Sequence, residues 1–187
     1  GFVSVYKEAF GGAPYFETYT DKQVVDDIWS PHFKSGIIVL ALEEEDVIGF
    51  ACSIPFLLAP RGVQQFLTEQ KVMHHSIHAR FDTLWYNSEF GVRLSRRKQG
   101  VGYILMRQRL AEIIACGGKK YMARTASSGS NSLHLYERIG SQKLSLLQDV
   151  EGSEQVLVNK SQSTSRVYLY GRCAQAIERI DTITSAT

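Results

Sequence analysis

Residues 84–116 restrict the fold more than any other stretch of the sequence. An apolar, aromatic run (LWYNSEFGVRL, 84–94) reads as a strand, and a basic glycine turn follows it. A helix over 101–116 comes next, with Val101, Ile104, Leu105, Leu110, Ile113 and Ile114 near 3.6-residue spacing. Gly117-Gly118 stops that helix. A strand that feeds directly into an amphipathic helix calls for layered α/β packing.

The turn itself is Arg97-Lys98-Gln99-Gly100-Val101-Gly102. A helix start leaves four N–H groups unpaired and carries partial positive charge. Glycines let the backbone come close to an anion, and Arg97 and Lys98 add formal charge. The turn therefore suits a dianion such as a diphosphate. It is neither a GxxxxGK[ST] P-loop nor a three-glycine dinucleotide fingerprint, and alone it is a weak signal.

The rest of the chain fits around this unit. Residues 2–10 have helical spacing, broken by Gly11-Gly12-Ala13-Pro14. Asp21 is placed to cap a second helix, which Ser30-Pro31 should end near Trp29. Two apolar runs, 37–42 and 47–54, form a hairpin around an acidic turn. Pro60-Arg61-Gly62 reads as a loop, and 57–80 as an insertion holding one or two short helices. A strand over 119–125, a helix from Ser130 or Asn131 to Arg138, and strands over 143–150 and 166–170 complete the order. The Ser-rich stretch 159–165 is read as a hairpin loop, and 174–187 as a helix with a frayed tail. No repeat or linker divides the chain, so residues 1–187 form a single domain.

Composition excludes several classes. The net charge is only +2 and no run of five like charges occurs, so no nucleic-acid partner is expected. No span of 18 apolar residues is present, so no membrane partner is expected. Three cysteines without a CxxC pair suit a reduced, cytoplasmic location. His74 and His78 share a helix face at i, i+4, but no third ligand is evident and no metal is expected. Trp29 and Trp85 read as packing residues, and Cys116 as inert. Tyr15, Phe16 and Tyr19 suit either an acceptor pocket or a hydrophobic lid.

The glycine turn resembles the [RQ]-x-x-G-x-[GA] motif of the GNAT N-acetyltransferase superfamily, at the same place between the fourth strand and its helix. Downstream, Leu135-Tyr136-Glu137-Arg138-Ile139-Gly140 is similar to that family's LYE(K/R)xG element. Tyr6 to Phe10 with Pro14-Tyr15 resembles its first helix and substrate-side loop. The likeness covers roughly 2–56 and 84–172. Two details depart from it: Gly129 stands where the family often has Asn, and Ser141 where it has an aromatic residue. The family's first strand has no candidate before Phe2.

The resemblance implies a GNAT fold: a mixed sheet of six to seven strands flanked by helices and splayed between its fourth and fifth strands. It implies acetyl-CoA as co-substrate, with backbone near Val92 and Leu94 pairing with the pantetheine arm. Arg97, Lys98, Gln99, Gly100, Val101, Gly102 and Tyr103 would hold the diphosphate, with Asn131 as a further contact. A small-molecule or peptide amine would attack the thioester directly. Tyr136 matches the family's general acid, and Glu89 lies near the catalytic carboxylate of many relatives, within one residue of register. The residue reading of Glu89 alone is a strand-edge carboxylate paired with Arg93. A longer acyl-CoA, or coenzyme binding without turnover, are the alternatives. Edge strands suit a homodimer.

Overall fold

The protein's structure, a computed structural model, describes residues 1–69, 81–150 and 164–186. Six strands form one sheet: β1 (Ile37–Glu43), β2 (Asp46–Pro55), β3 (Leu84–Val92), β4 (Lys120–Ala126), β5 (Gln142–Val150) and β6 (Thr164–Arg172). Their order is β1-β2-β3-β4-β6-β5, and every neighbouring pair is antiparallel except β3 with β4.

Side chains alternate between the two faces, as strand geometry requires. One face carries Phe50, Cys52, Tyr86, Met122 and Tyr168; it packs under α1 (Phe2–Gly11) and α4 (Arg61–Glu69). α2 (Asp21–Gln23), the π-helical Val24–Trp29 and α3 (Ser30–Ser35) cover the same face. The other face carries Trp85, Tyr121, Ala123, Val167 and Leu169. It packs against α5 (Val101–Ala115), α6 (Asn131–Arg138) and α7 (Cys173–Ser185). Among the described residues no helix is long and apolar enough to cross a membrane.

Several local expectations need correction. Pro31 does not end the second helix; Ser30–Ser35 continues it. A proline removes one helical N–H, and here the helix widens to π geometry just before it, with Ser30 N–H donated to the Val25 carbonyl. Thr20, not Asp21, is the cap, in a reciprocal capping box with Gln23. Arg61 and Gly62 lie in the first turn of α4 rather than in a loop. The strand expected to reach Leu94 ends at Val92, where a 3-10 turn over Leu94–Arg96 takes over. The helix expected after Cys173 is present as α7, and it runs on to Ser185, with buried Ala176 and Ile180 holding it to the core. Ile104 and Ile114, assigned to the buried stripe of α5, are 65% and 42% exposed. The histidine cluster and residues 159–163 lie outside the described residues.

Candidate active site

A one-residue irregularity shapes the site. Cys52 pairs with Glu89 and Ser53 with Asn87, so Ser88 is an extra residue bulged out of β3. Bulges bend a strand and reset its alternation. Tyr86 faces the α1 side; without the bulge Glu89 would face the α5 side. With it, Glu89 faces α1 and receives a hydrogen bond from the Tyr6 hydroxyl at 3.1 Å. The bend also parts the two parallel strands. β3 pairs with β4 only over Leu84–Asn87 against Lys120–Ala123, and a gap opens beyond. Ser88 is held in place by His32 Nε2 at 2.6 Å and by donating to the Cys52 carbonyl.

One mouth of the gap is a cavity of about 260 Å³. Phe90 and Val92 from β3, the turn residues Arg97, Lys98, Gly100, Gly102 and Tyr103, and Asn131 from α6 help to line it. The turn is open: Lys98, Gln99 and Gly100 are exposed. Gly100 has φ +83, a conformation that suits glycine, and a Cβ there would meet nothing within 4 Å. No side chain caps α5, and the N–H groups of Val101 and Gly102 find no acceptor among the described residues. The Tyr103 N–H, in contrast, is donated to the Gly100 carbonyl at 2.9 Å. Open N–H groups at a helix start are of the kind that can receive an anion. Leu94 stands apart from them: the residue is outside the cavity lining and its N–H goes to Glu8 Oε1 at 2.6 Å.

A second cavity, of about 160 Å³, adjoins the first, and Tyr15, Phe90 and Ser132 line both. Glu89 and Tyr136 both line the second. Glu89 keeps some surface on the cavity, while protein surrounds it elsewhere. That burial pushes its carboxyl up from 4.5 to about 7, against the lowering effect of the Tyr6 hydrogen bond; Glu17 raises it further. A carboxyl poised there can take a proton near neutral pH. Its pairing with Arg93 is not observed; Arg93 reaches Glu8 instead, at 3.4 Å.

Tyr136 comes from the opposite face, on α6. It is 3% exposed and packs against Tyr121, as an ordinary core tyrosine would. Its hydroxyl, however, accepts a hydrogen bond from Arg109 Nη2 at 2.8 Å. An oxygen so engaged directs its own proton elsewhere. Ser130 starts α6 by accepting the Leu133 N–H, and it joins Thr125 and Ser132 in a triangle of 2.7 Å hydroxyl contacts at the seam between the cavities.

Sequence reasoning missed Arg109 and Arg124. Arg109 is wholly buried, and its Nη1 also donates to the Glu89 carbonyl at 3.3 Å. The signal was present, since the buried stripe 105, 106, 109, 110 and 113 runs through it. Arg124 lines the second cavity, and nothing local marks it. Among the described residues no group of three His, Cys, Asp or Glu side chains is placed to hold a metal.

An uncapped helix start thus lies at one mouth of a split sheet, next to a cavity that Glu89 and Tyr136 line. The chain belongs to the acetyltransferase (GNAT) family, whose sequence model matches residues 5–140. No curated protein matches the sequence. Among solved structures, the fold is similar to Salmonella typhimurium yncA, determined with its cofactor acetyl-CoA (12% identity, 92% of this chain and 86% of that one, TM-score 0.64). It is also similar to the ribosomal-protein-alanine N-acetyltransferase of Brucella melitensis (13%, 91% of each chain, TM-score 0.65). An N-acetyltransferase of Staphylococcus aureus Mu50 is comparable (14%, 92% and 90%, TM-score 0.65). The chain is thus a GNAT-type acetyltransferase with the mixed, helix-flanked sheet of that fold.

Proposed function

We propose that the protein transfers the acetyl group of acetyl-CoA to a primary amine by direct attack. The observation that carries this reading is the shared wall between the two cavities. It sets an open helix-start cradle on one side and the Glu89–Tyr136 pair on the other.

Bound acetyl-CoA supplies an activated acyl thioester. Val101 and Gly102 N–H groups, with Arg97 and Lys98, hold the diphosphate, and Asn131 and the Val92 edge flank the arm. Gln99 and Tyr103 contribute main chain on either side of these donors, while Leu94 has its N–H committed to Glu8 and contributes least. An acceptor amine near pKa ~10 enters largely protonated. Glu89 removes that proton, and the freed nitrogen forms the C–N bond as the C–S bond breaks. Tyr136 gives its proton to the departing thiolate and regains one from the nitrogen, which sheds its second proton as the amide forms; Glu89 releases its own to solvent. The products are an amide and free CoA. Acceptors of the family's kind, small molecules or peptides, fit this scheme. The three free thiols fit a reducing, cytoplasmic setting. The edge strands β1 and β5 leave a homodimer open to the chain.

Calorimetry with acetyl-CoA and a thiol-release assay with an amine panel test this. Binding followed by amine-dependent release of free thiol is expected. Binding with no release over the whole panel would leave a coenzyme-binding protein, and no binding would end the transferase reading.

A further inference from the structure

Two arginines and two glutamates line the second cavity, and among the described residues only one ion pair is made between them. Arg166 and Glu17 pair there at 2.8 Å, and the Arg166 guanidinium lies 4.6 Å from the centre of the Tyr15 ring. Their charges are spent on each other. Arg124 and Glu89 remain. Both lie on the α1 face of the sheet: Arg124 alternates in phase with Met122, and Glu89 is turned there by the bulge.

Arg124 is half-buried, with one guanidinium nitrogen donating to Gln148 Oε1 at 3.0 Å. Tyr168 donates to the same oxygen at 2.6 Å, so Gln148 holds the guanidinium without neutralising it. Among the described residues no carboxylate reaches Arg124 within ion-pair distance. Glu89 turns its carboxylate to Tyr6 instead. A guanidinium offers five N–H donors in a fork that matches a carboxylate. A half-buried cation with donors to spare, lining the same cavity as the group that receives the amine, is a binding feature that a plain amine cannot use. It repels an ammonium ion, and it rewards an acceptor that brings its own anion.

We propose that the acceptor is a small amino carboxylate, of free amino acid size, whose carboxylate is held by Arg124 while its amine lies toward Glu89. The cavity volume of about 160 Å³ suits a ligand of that size, below the span of drug-sized pockets. The aromatic walls from Tyr6, Phe10, Tyr19 and Tyr86 offer apolar surface to its side chain. The inference rests on the acetyl-transfer reading and narrows its substrate class.

The test compares thiol release from acetyl-CoA with phenylalanine, leucine and methionine, each against the amine left when its carboxyl group is removed. The carboxylate-bearing partner should have the higher kcat/KM by roughly tenfold or more. Arg124→Met should bring that ratio close to one, chiefly by raising KM for the amino acids, while Arg124→Lys should retain part of it. If Arg124→Met lowers the thermal midpoint so far that it unfolds, Arg124→Gln reads the same ratio. Equal or better turnover of the carboxyl-free amines by the native protein overturns the inference, and so does a ratio that Arg124→Met leaves unchanged. In both cases acetyl transfer itself stands. Acetyl-CoA binding without thiol release from either set overturns the inference alone, whereas no release over the whole amine panel, or no binding at all, overturns both.

Discussion

At the residue scale, Glu89 ties stability to pH. Its carboxyl holds a proton up to about pH 7 in the native protein, against 4.5 for an unperturbed carboxyl. Between those values the native state binds more protons than the unfolded chain. Stability therefore falls as pH rises through that window and stays low above it. Glu89→Gln keeps an acceptor for Tyr6 and removes the buried charge. It should be more stable than the native protein by about 1–3 kcal/mol at pH 8 and nearly equal to it at pH 4. Urea unfolding at the two pH values measures this, and a pH-independent difference would contradict it. The same substitution should remove the rise in turnover as pH passes through about 7. Tyr136→Phe should lower kcat by about 100-fold, in the range of lost acid–base catalysis, with acetyl-CoA affinity in calorimetry unchanged. Unaltered turnover would take Tyr136 out of the mechanism.

At the scale of elements, the start of α5 separates stability from binding. Gly102 is helical, and a Cβ there would meet Leu135 and Phe90 at 3.7 Å, an ordinary contact. Gly102→Ala should therefore stabilise the helix by up to about 1 kcal/mol. The same methyl would stand in the cavity beside the unpaired N–H groups, so acetyl-CoA affinity should drop at least tenfold, or about 1.4 kcal/mol. Affinity equal to that of the native protein would argue against a diphosphate at this turn. Gly100→Ala would fail differently. Its Cβ has open space but its φ is +83, so the expected cost is backbone strain of about 1–2 kcal/mol. The helix ends were legible from local chemistry: Ser130 caps α6, and Gly117 and Gly140 have the positive φ expected after α5 and α6. Pro31 misled because a proline usually stops a helix, and only the π-helical turn before it lets this one continue.

Over the whole molecule, burial sorts the three thiols. Cys52 and Cys173 lie in the core, whereas Cys116, expected from sequence to be inert, is exposed after α5 and open to reagents. Burial pushes the Cys173 thiol up to about 12 and raises Cys52 further. A thiol reagent at pH 7.5 should modify one cysteine per native chain quickly, and the other two only after unfolding. Mass spectrometry of the labelled protein reads the count, and rapid labelling at Cys52 would contradict the packing of α1 on β2.

The order of strands and helices, the hairpin and the glycine turn were legible in the sequence alone, because apolar periodicity, caps and turn residues act over a few positions. The geometry of the site was not. Tyr6 and Glu89 meet across 83 residues, and Arg109 and Tyr136 across 27. Whether Glu89 faces α1 or α5 hangs on one bulged serine, and strand alternation read from sequence has no means of counting an extra residue. Arg124 looks like any strand arginine until packing sets it in the second cavity, with no carboxylate of the described residues in ion-pair contact. Local patterns specify where backbone hydrogen bonds go, whereas charge balance and proton affinity depend on what long-range packing brings into contact.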